Sequence, residues 1–131
     1  MKQIEVRREN KIKRKRKIIM NKQRIEALKA KENYKIGDLI EIMSILREPG
    51  GCPWDREQTR LSLSRSLAEE CAELLDAIDR DDPADICDEL GDLFMNVLFQ
   101  AVIAKEKGEF TYTDMAGHIV EKMVRRHAHI F

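Results

Sequence analysis

The stretch Ser62-Leu63-Ser64-Arg65-Ser66-Leu67-Ala68-Glu69-Glu70-Cys71-Ala72-Glu73-Leu74-Leu75-Asp76-Ala77-Ile78 decides the fold class. Leu63, Leu67, Cys71, Leu74, Leu75 and Ile78 recur at three- and four-residue steps, the period of one helical face. This spacing predicts a helix with Ser62 as N-cap, running to about Arg80. Asp82-Pro83 follows, an N-cap with proline at the first helical position. It opens a second helix that continues through Lys105 and Lys107 to a terminating Gly108.

Upstream, Ile36, Leu39, Ile40, Met43 and Leu46 repeat the helical spacing, and Pro49-Gly50-Gly51 ends it. Residues 48–60 read as a connecting loop, long enough to carry function. Downstream, a helix is expected from Thr113-Asp114, with Met115, Ile119 and Met123 turned inward and His118, Lys122 and Arg126 on another face. The fold class is therefore all-α, a helical bundle over residues 36–131, and residues 1–35 form a separate basic extension. Only 5% of residues are aromatic, and Ala, Leu, Ile, Met, Glu, Lys and Arg dominate, which agrees with helices and argues against sheet. From Leu93 to Ala104 the second helix is apolar nearly all round, so both its sides need cover. Four helices offer few neighbours for that, and a second subunit is expected to supply the other layer, as a homodimer or tetramer.

Charge divides the chain unevenly. Residues 1–35 hold 14 Lys/Arg against 4 Glu, whereas residues 36–131 hold 10 against 20 Asp/Glu, so a net charge of zero conceals a basic arm and an acidic body. The run Lys11-Ile12-Lys13-Arg14-Lys15-Arg16-Lys17 fits either a solvated arm or contact with nucleic acid. No apolar run is long enough to cross a bilayer, and the start lacks the apolar stretch of a signal peptide, so a cytoplasmic protein without membrane partners is expected. Cys52, Cys71 and Cys87 are odd in number and have no Cys-x-x-Cys spacing. They read as reduced, small hydrophobes rather than a disulfide or zinc framework.

The chemistry lies in the carboxylates. Glu69, Glu70 and Glu73 cluster on the first of the paired helices, and Glu70 projects between Leu63 and Ala77, bordering the core. Glu89 and Asp92 repeat the arrangement on the second, beside Ile86 and Leu93, with Asn96 about two turns beyond Glu89. Glu69/Glu73, Asp85/Glu89 and Asp88/Asp92 are like-charged four-residue neighbours, and Asp76/Arg80 alone reads as a favourable pair. A plain acidic surface would gain nothing from such repulsion, whereas a hard divalent cation bound by carboxylate oxygens compensates it. Magnesium or manganese suits these ligands, and zinc does not.

Glu69-Glu70-Cys71-Ala72-Glu73 and Glu89-Leu90-Gly91-Asp92 resemble the Glu-Glu-x-x-Glu and Glu-x-x-Asp signature of MazG-type nucleoside triphosphate pyrophosphohydrolases. Residues 50–59, Gly-Gly-Cys-Pro-Trp-Asp-Arg-Glu-Gln-Thr, and residues 121–131, ending Arg-Arg-His-Ala-His-Ile-Phe, are similar to segments typical of the family. The resemblance covers about residues 36–131. It implies a helical bundle completed by dimerisation, with Mg2+ (Mn2+ as substitute) held by Glu70, Glu73, Glu89 and Asp92. The implied reaction cuts a triphosphate between its α and β phosphates. In mechanism, Glu69 or Glu70, at the metal cluster, is the candidate catalytic base. The resemblance also implies phosphate contacts from Lys122 and Arg126. Trp54 offers a ring for a base to stack on, or an anchor for packing. Asn96 offers an amide to a water or sugar hydroxyl, or to the backbone. His127 and His129 belong to the family's recurring ending and are not read as metal ligands.

Family domains commonly carry proline where Ala128 stands, an aromatic where Ala72 stands, and a further segment beyond the position of Phe131. With the chain ending there, weaker or broader activity is expected. Two other readings stand beside general triphosphate hydrolysis. One is a related all-α pyrophosphohydrolase restricted to a pyrimidine deoxynucleotide or a phosphoribosyl nucleotide. The other is a non-catalytic nucleotide-binding or nucleic-acid-associated protein.

Overall fold

The computed structural model describes residues Met1–Phe131 and contains six helices and no strand. They are α1 (Lys2–Lys29), α2 (Ile36–Arg47), α3 (Pro53–Glu57), α4 (Arg60–Arg80), α5 (Pro83–Glu106) and α6 (Tyr112–Arg126). Packing divides the chain into two compact units, Met1–Arg56 and Glu57–Phe131.

In the first unit α1 and α2 are joined through polar contacts. Arg24 pairs with Glu41 and, at 2.8 Å, with Glu48, and it also donates to Asn21 Oδ1 at 3.0 Å. Lys31 pairs with the buried Asp38, whose other oxygen accepts from the Lys35 backbone N–H at 2.7 Å and so caps α2. These ties place α2 with α1, so the packing boundary falls later in the chain than the change of composition at residue 36. After α2 the chain turns at Gly50, with φ +91°, and Gly51, where a Cβ would overlap the Ile45 and Leu46 carbonyls. The connection expected over residues 48–60 contains the short helix α3. Cys52-Pro53 favours it, with proline at the first helical position and the Arg56 N–H reaching the Cys52 carbonyl at 3.0 Å.

In the second unit α4 and α5 form an antiparallel hairpin, and α6 packs on α5. The N-cap of α4 is Thr59 rather than Ser62. Thr59 Oγ1 accepts from Ser62 N at 3.0 Å, while Ser62 Oγ accepts from Thr59 N at 2.8 Å, so Ser62 is the third residue of a capping box. The same device, between Thr111 and Asp114, starts α6 at Tyr112, slightly ahead of the expected start at Thr113-Asp114. Asp82 caps α5 ahead of Pro83, as expected, accepting from Ala84 N at 3.1 Å. Asp81 closes α4 in the left-handed region, φ +53°.

The buried stripe of α4 is Leu63, Leu74 and Ala77. Cys71, Leu75 and Ile78, expected beside them, are exposed. At 100° per residue these three lie well round from Leu63 and Ala77, so the apolar band is wider than the surface α5 covers. Cys71 and Cys87 are both exposed thiols. In α5 the buried set runs from Asn96 through Leu98, Phe99 and Ala101–Ala104, which agrees with the apolar circumference. α6 departs from expectation. It has no buried residue, and Ile119 and Met123 are exposed at 51% and 44% with Met115 half-buried.

Candidate metal centre

The hairpin brings carboxylates together by register. In an antiparallel pair, each step back along one helix is matched by a step forward along the other. Glu73 and Glu89 therefore face one another across the turn, as do Glu70 and Asp92 one helical turn further from it. Gln100 fixes the facing side of α5: it lies about three turns from Glu89 on the same face, and its Nε2 donates to the Arg60 carbonyl of α4 at 3.2 Å.

Glu70, Glu73 and Glu89 each present an oxygen within 4.8 Å of the others. Glu70 and Glu89 are half-buried and Glu73 is exposed, so the trio opens to solvent on one side. Glu70 lies in projection between Leu63 and Ala77, at the centre of the buried stripe, which is why its carboxylate is drawn inward.

The electrostatics match this placement. Burial pushes the Glu70 carboxyl above the ordinary carboxylate range, and the charges of Asp92, Glu73 and Glu69 push it further. Burial likewise raises Glu89, with Glu73 the foremost charge, then Asp92, Glu70 and Asp88. In each case the strongest neighbouring charge is the residue at the matching register position. Oε2 of Glu70 and Oε2 of Glu89 are both buried and accept no hydrogen bond. A buried carboxylate oxygen without a donor is costly, and an oxygen-seeking divalent cation satisfies such oxygens and the mutual repulsion together. The donor set is entirely carboxylate, without His or Cys, which favours a hard cation over zinc. The residues present fit a divalent ion.

The other residues singled out from the sequence divide. Asp92 is exposed and stands beside the trio as a charge, outside the group whose oxygens converge. Glu69 is exposed and pairs with Arg65 Nε at 3.2 Å. Arg80 pairs with Asp85 at 3.1 Å, across the turn, where Asp76 was the expected partner. Asn96 is buried, and its Nδ2 donates to the Asp92 carbonyl at 3.1 Å, the backbone alternative of its two readings. Trp54 lies on α3 in the first unit and is 62% exposed. Lys122 lines a cavity of about 400 Å³ together with Phe110, Asp114, Met115, His118 and Ile119. Arg126, also exposed, closes the last turn of α6. His127 Nδ1 lies 2.7 Å from the Met123 carbonyl, a local contact with the last turn of α6.

Sequence reasoning missed Phe110. Its signal was present: with Thr111 as N-cap, Phe110 and Met115 hold the two positions of a hydrophobic staple. The Arg65–Glu69 pair, at i,i+4, was equally readable.

The all-α hairpin thus gathers three carboxylates from two helices around orphaned oxygens, as in helical proteins whose acidic clusters can hold a divalent cation. Residues 58–131 match the MazG nucleotide pyrophosphohydrolase domain, more than half of the chain, and the chain belongs to that family. It is 48% identical over 94 residues to the nucleoside triphosphate pyrophosphohydrolase/pyrophosphatase MazG of Thermotoga maritima, covering 72% of this chain and 37% of that one. It is 46% identical over 98 residues to the nucleoside triphosphate pyrophosphohydrolase of Escherichia coli K12, covering 74% and 37%. It is also 50% identical over 98 residues to the uncharacterized protein YabN of Bacillus subtilis, covering 75% and 20%. The chain thus spans 20% to 37% of the length of these relatives.

Proposed function

We propose that this chain hydrolyses nucleoside triphosphates to nucleoside monophosphate and pyrophosphate, using a divalent cation, Mg2+ or Mn2+, held by Glu70, Glu73, Glu89 and Asp92. The observation that carries the reading is the pair of buried, unpartnered oxygens on Glu70 and Glu89, with Glu73 beside them, in a member of the MazG family. The printed activities of the Thermotoga maritima and Escherichia coli relatives support the reaction class. The hydrolase domain is taken as residues 36–131.

Bound there, the cation supplies neutralisation of phosphate oxygens and acidification of water. The chain's own groups do the rest. Water adds to the α phosphorus, the α–β anhydride bond breaks, and pyrophosphate leaves with the bond's electrons. The water's proton passes to a carboxylate, and Glu70, raised by burial, or its exposed neighbour Glu69 is placed to take it. Lys122 and Arg126, one helical turn apart on α6, supply positive charge for the remaining phosphates. Asn96 holds the Asp92 carbonyl, which fixes that turn of α5 beside the ligands.

Self-association belongs to the same reading. Leu75 and Ile78 on α4, Leu90 on α5, and Ile119, Val120 and Val124 on α6 stay exposed. An amphipathic helix such as α6, with its apolar side open, calls for another layer, and a second copy supplies it. Light scattering should then report at least twice the 15.3 kDa chain mass.

Pyrophosphate release from a panel of ribo- and deoxynucleoside triphosphates and a phosphoribosyl nucleotide, with and without Mg2+, tests the function. Release that needs the metal supports it. Turnover confined to one pyrimidine deoxynucleotide or a phosphoribosyl nucleotide would narrow the substrate, and folded protein inert toward all of them would refute hydrolysis.

A further inference from the structure

The hydrolytic reading leaves α1 without a role. This helix has 28 residues, about 42 Å at 1.5 Å per residue, and every residue from Lys2 to Met20 is exposed. Between Glu9 and Glu26 it carries no carboxylate, while Lys11, Lys13, Arg14, Lys15, Arg16 and Lys17 follow in one run. Stepping 100° per residue, those six cations encircle the axis, and Lys11/Lys15 and Lys13/Lys17 repel one another at i,i+4. An exposed helix with this repulsion is poorly sustained by its own residues, and a polyanion relieves the repulsion.

The shape of the charge selects the polyanion. An anionic membrane favours a helix with cations on one face and apolar residues on the other. In α1 the exposed Ile4, Val6, Ile12, Ile18, Ile19 and Met20 are scattered round the circumference and form no such face. Cations on all sides suit a groove with phosphates on both walls, and the major groove of duplex DNA, about 12 Å wide, admits a helix. A local feature fits the same ligand. Lys13, Arg16 and Lys17 line a cavity of about 280 Å³ with Met20, Asn21, Arg24 and Glu48, whose only carboxylate, Glu48, is already paired with Arg24.

We propose that α1 binds duplex DNA through its phosphates, without reading sequence, and that Lys13, Arg16 and Lys17, grouped at this cavity, each neutralise one phosphate. The binding is independent of triphosphate hydrolysis and needs no metal.

Fluorescence anisotropy of a labelled 20-base-pair duplex with the whole chain, in EDTA, tests this. With about six phosphates neutralised, log K should fall against log salt with a slope of about −5, roughly a thousand-fold loss between 50 and 200 mM. The triple variant K13Q/R16Q/K17Q should flatten the slope by nearly 3 and weaken binding more than about tenfold at 50 mM, whereas K13R/K17R should keep the native slope. Glutamine retains helix propensity and leaves Arg24 in place, and far-UV circular dichroism checks that α1 persists. Absence of binding at 50 mM, an unchanged slope in the glutamine variant, or sedimentation with phosphatidylserine vesicles at salt concentrations where the duplex is released would each overturn the proposal.

Discussion

Glu73 on α4 and Glu89 on α5 face one another across the Asp81-Asp82 turn, with oxygens inside the same 4.8 Å cluster, and Glu73 is the foremost charge raising the Glu89 carboxyl. Two negative groups held this close by a helical hairpin oppose folding unless something positive joins them. The capping of α5 by Asp82 and the Gln100–Arg60 hydrogen bond keep the register that enforces the juxtaposition.

Metal should therefore stabilise the fold. Added Mg2+ or Mn2+ is expected to raise the unfolding temperature, by an amount equivalent to about 2.7 kcal/mol when free metal is a hundred times its Kd. Chelation should reverse it. Differential scanning calorimetry with and without EDTA reads this directly, and an identical transition in both would argue against a metal site.

Glu89→Gln should separate repulsion from ligation. Losing one of the facing charges is expected to raise the melting temperature of the metal-free protein and to weaken Mn2+ binding at least about tenfold. Calorimetric titration supplies the second number. A variant that melts earlier without metal and binds Mn2+ as tightly as the native chain would contradict both expectations.

Asp38 predicts an acid-sensitive first unit. Its carboxyl is held below the usual 3.8 first by the Lys31 ammonium and then by the Lys35 backbone N–H. A carboxylate with a depressed folded-state pKa contributes stability that is fully present above its unfolded value and is lost as pH falls through the folded one. The Asp38→Asn variant should thus be less stable than the native chain at pH 7, and the difference should vanish in acid, below the lowered Asp38 value. Paired denaturant titrations at the two pH values check this, and a constant difference would rule out the ionised pair as its source.

Asp81→Gly should stabilise the hairpin. Asp81 occupies the left-handed region at φ +53°, where a Cβ costs about 1–2 kcal/mol and glycine avoids that cost. Part of the gain is offset by chain entropy, leaving roughly 0.5–1 kcal/mol, visible as a shift in the denaturant midpoint at unchanged slope.

The hairpin was legible in sequence because two local signals coincide there: the helical period on either side and the Asp82-Pro83 start between them. Glu70, Glu73 and Glu89 were legible for the same reason, since period and register together determine which carboxylates meet. Helix starts were less so, because Thr59 and Ser62, or Thr111 and Asp114, are both acceptable caps until the reciprocal bonds decide. The exposure of Ile119 and Met123 could not be read from periodicity, which identifies an apolar face but not what covers it. Arg24 was missed as an organising residue because its partners, Glu41 and Glu48, lie on α2 and at its end, and Asp38 because its partner Lys31 lies in the connection between α1 and α2.

If Glu70, Glu73, Glu89 and Asp92 hold the metal of a pyrophosphohydrolase, removing one of these ligands must raise the metal requirement. The most direct measurement is Mg2+-dependent pyrophosphate release by Glu73→Gln, compared with the native chain and with Lys105→Gln, a surface change outside the proposed site. Glu73→Gln should need at least about tenfold more Mg2+ for half-maximal rate, while Lys105→Gln should follow the native curve. Indistinguishable Mg2+ dependence in all three would contradict this assignment.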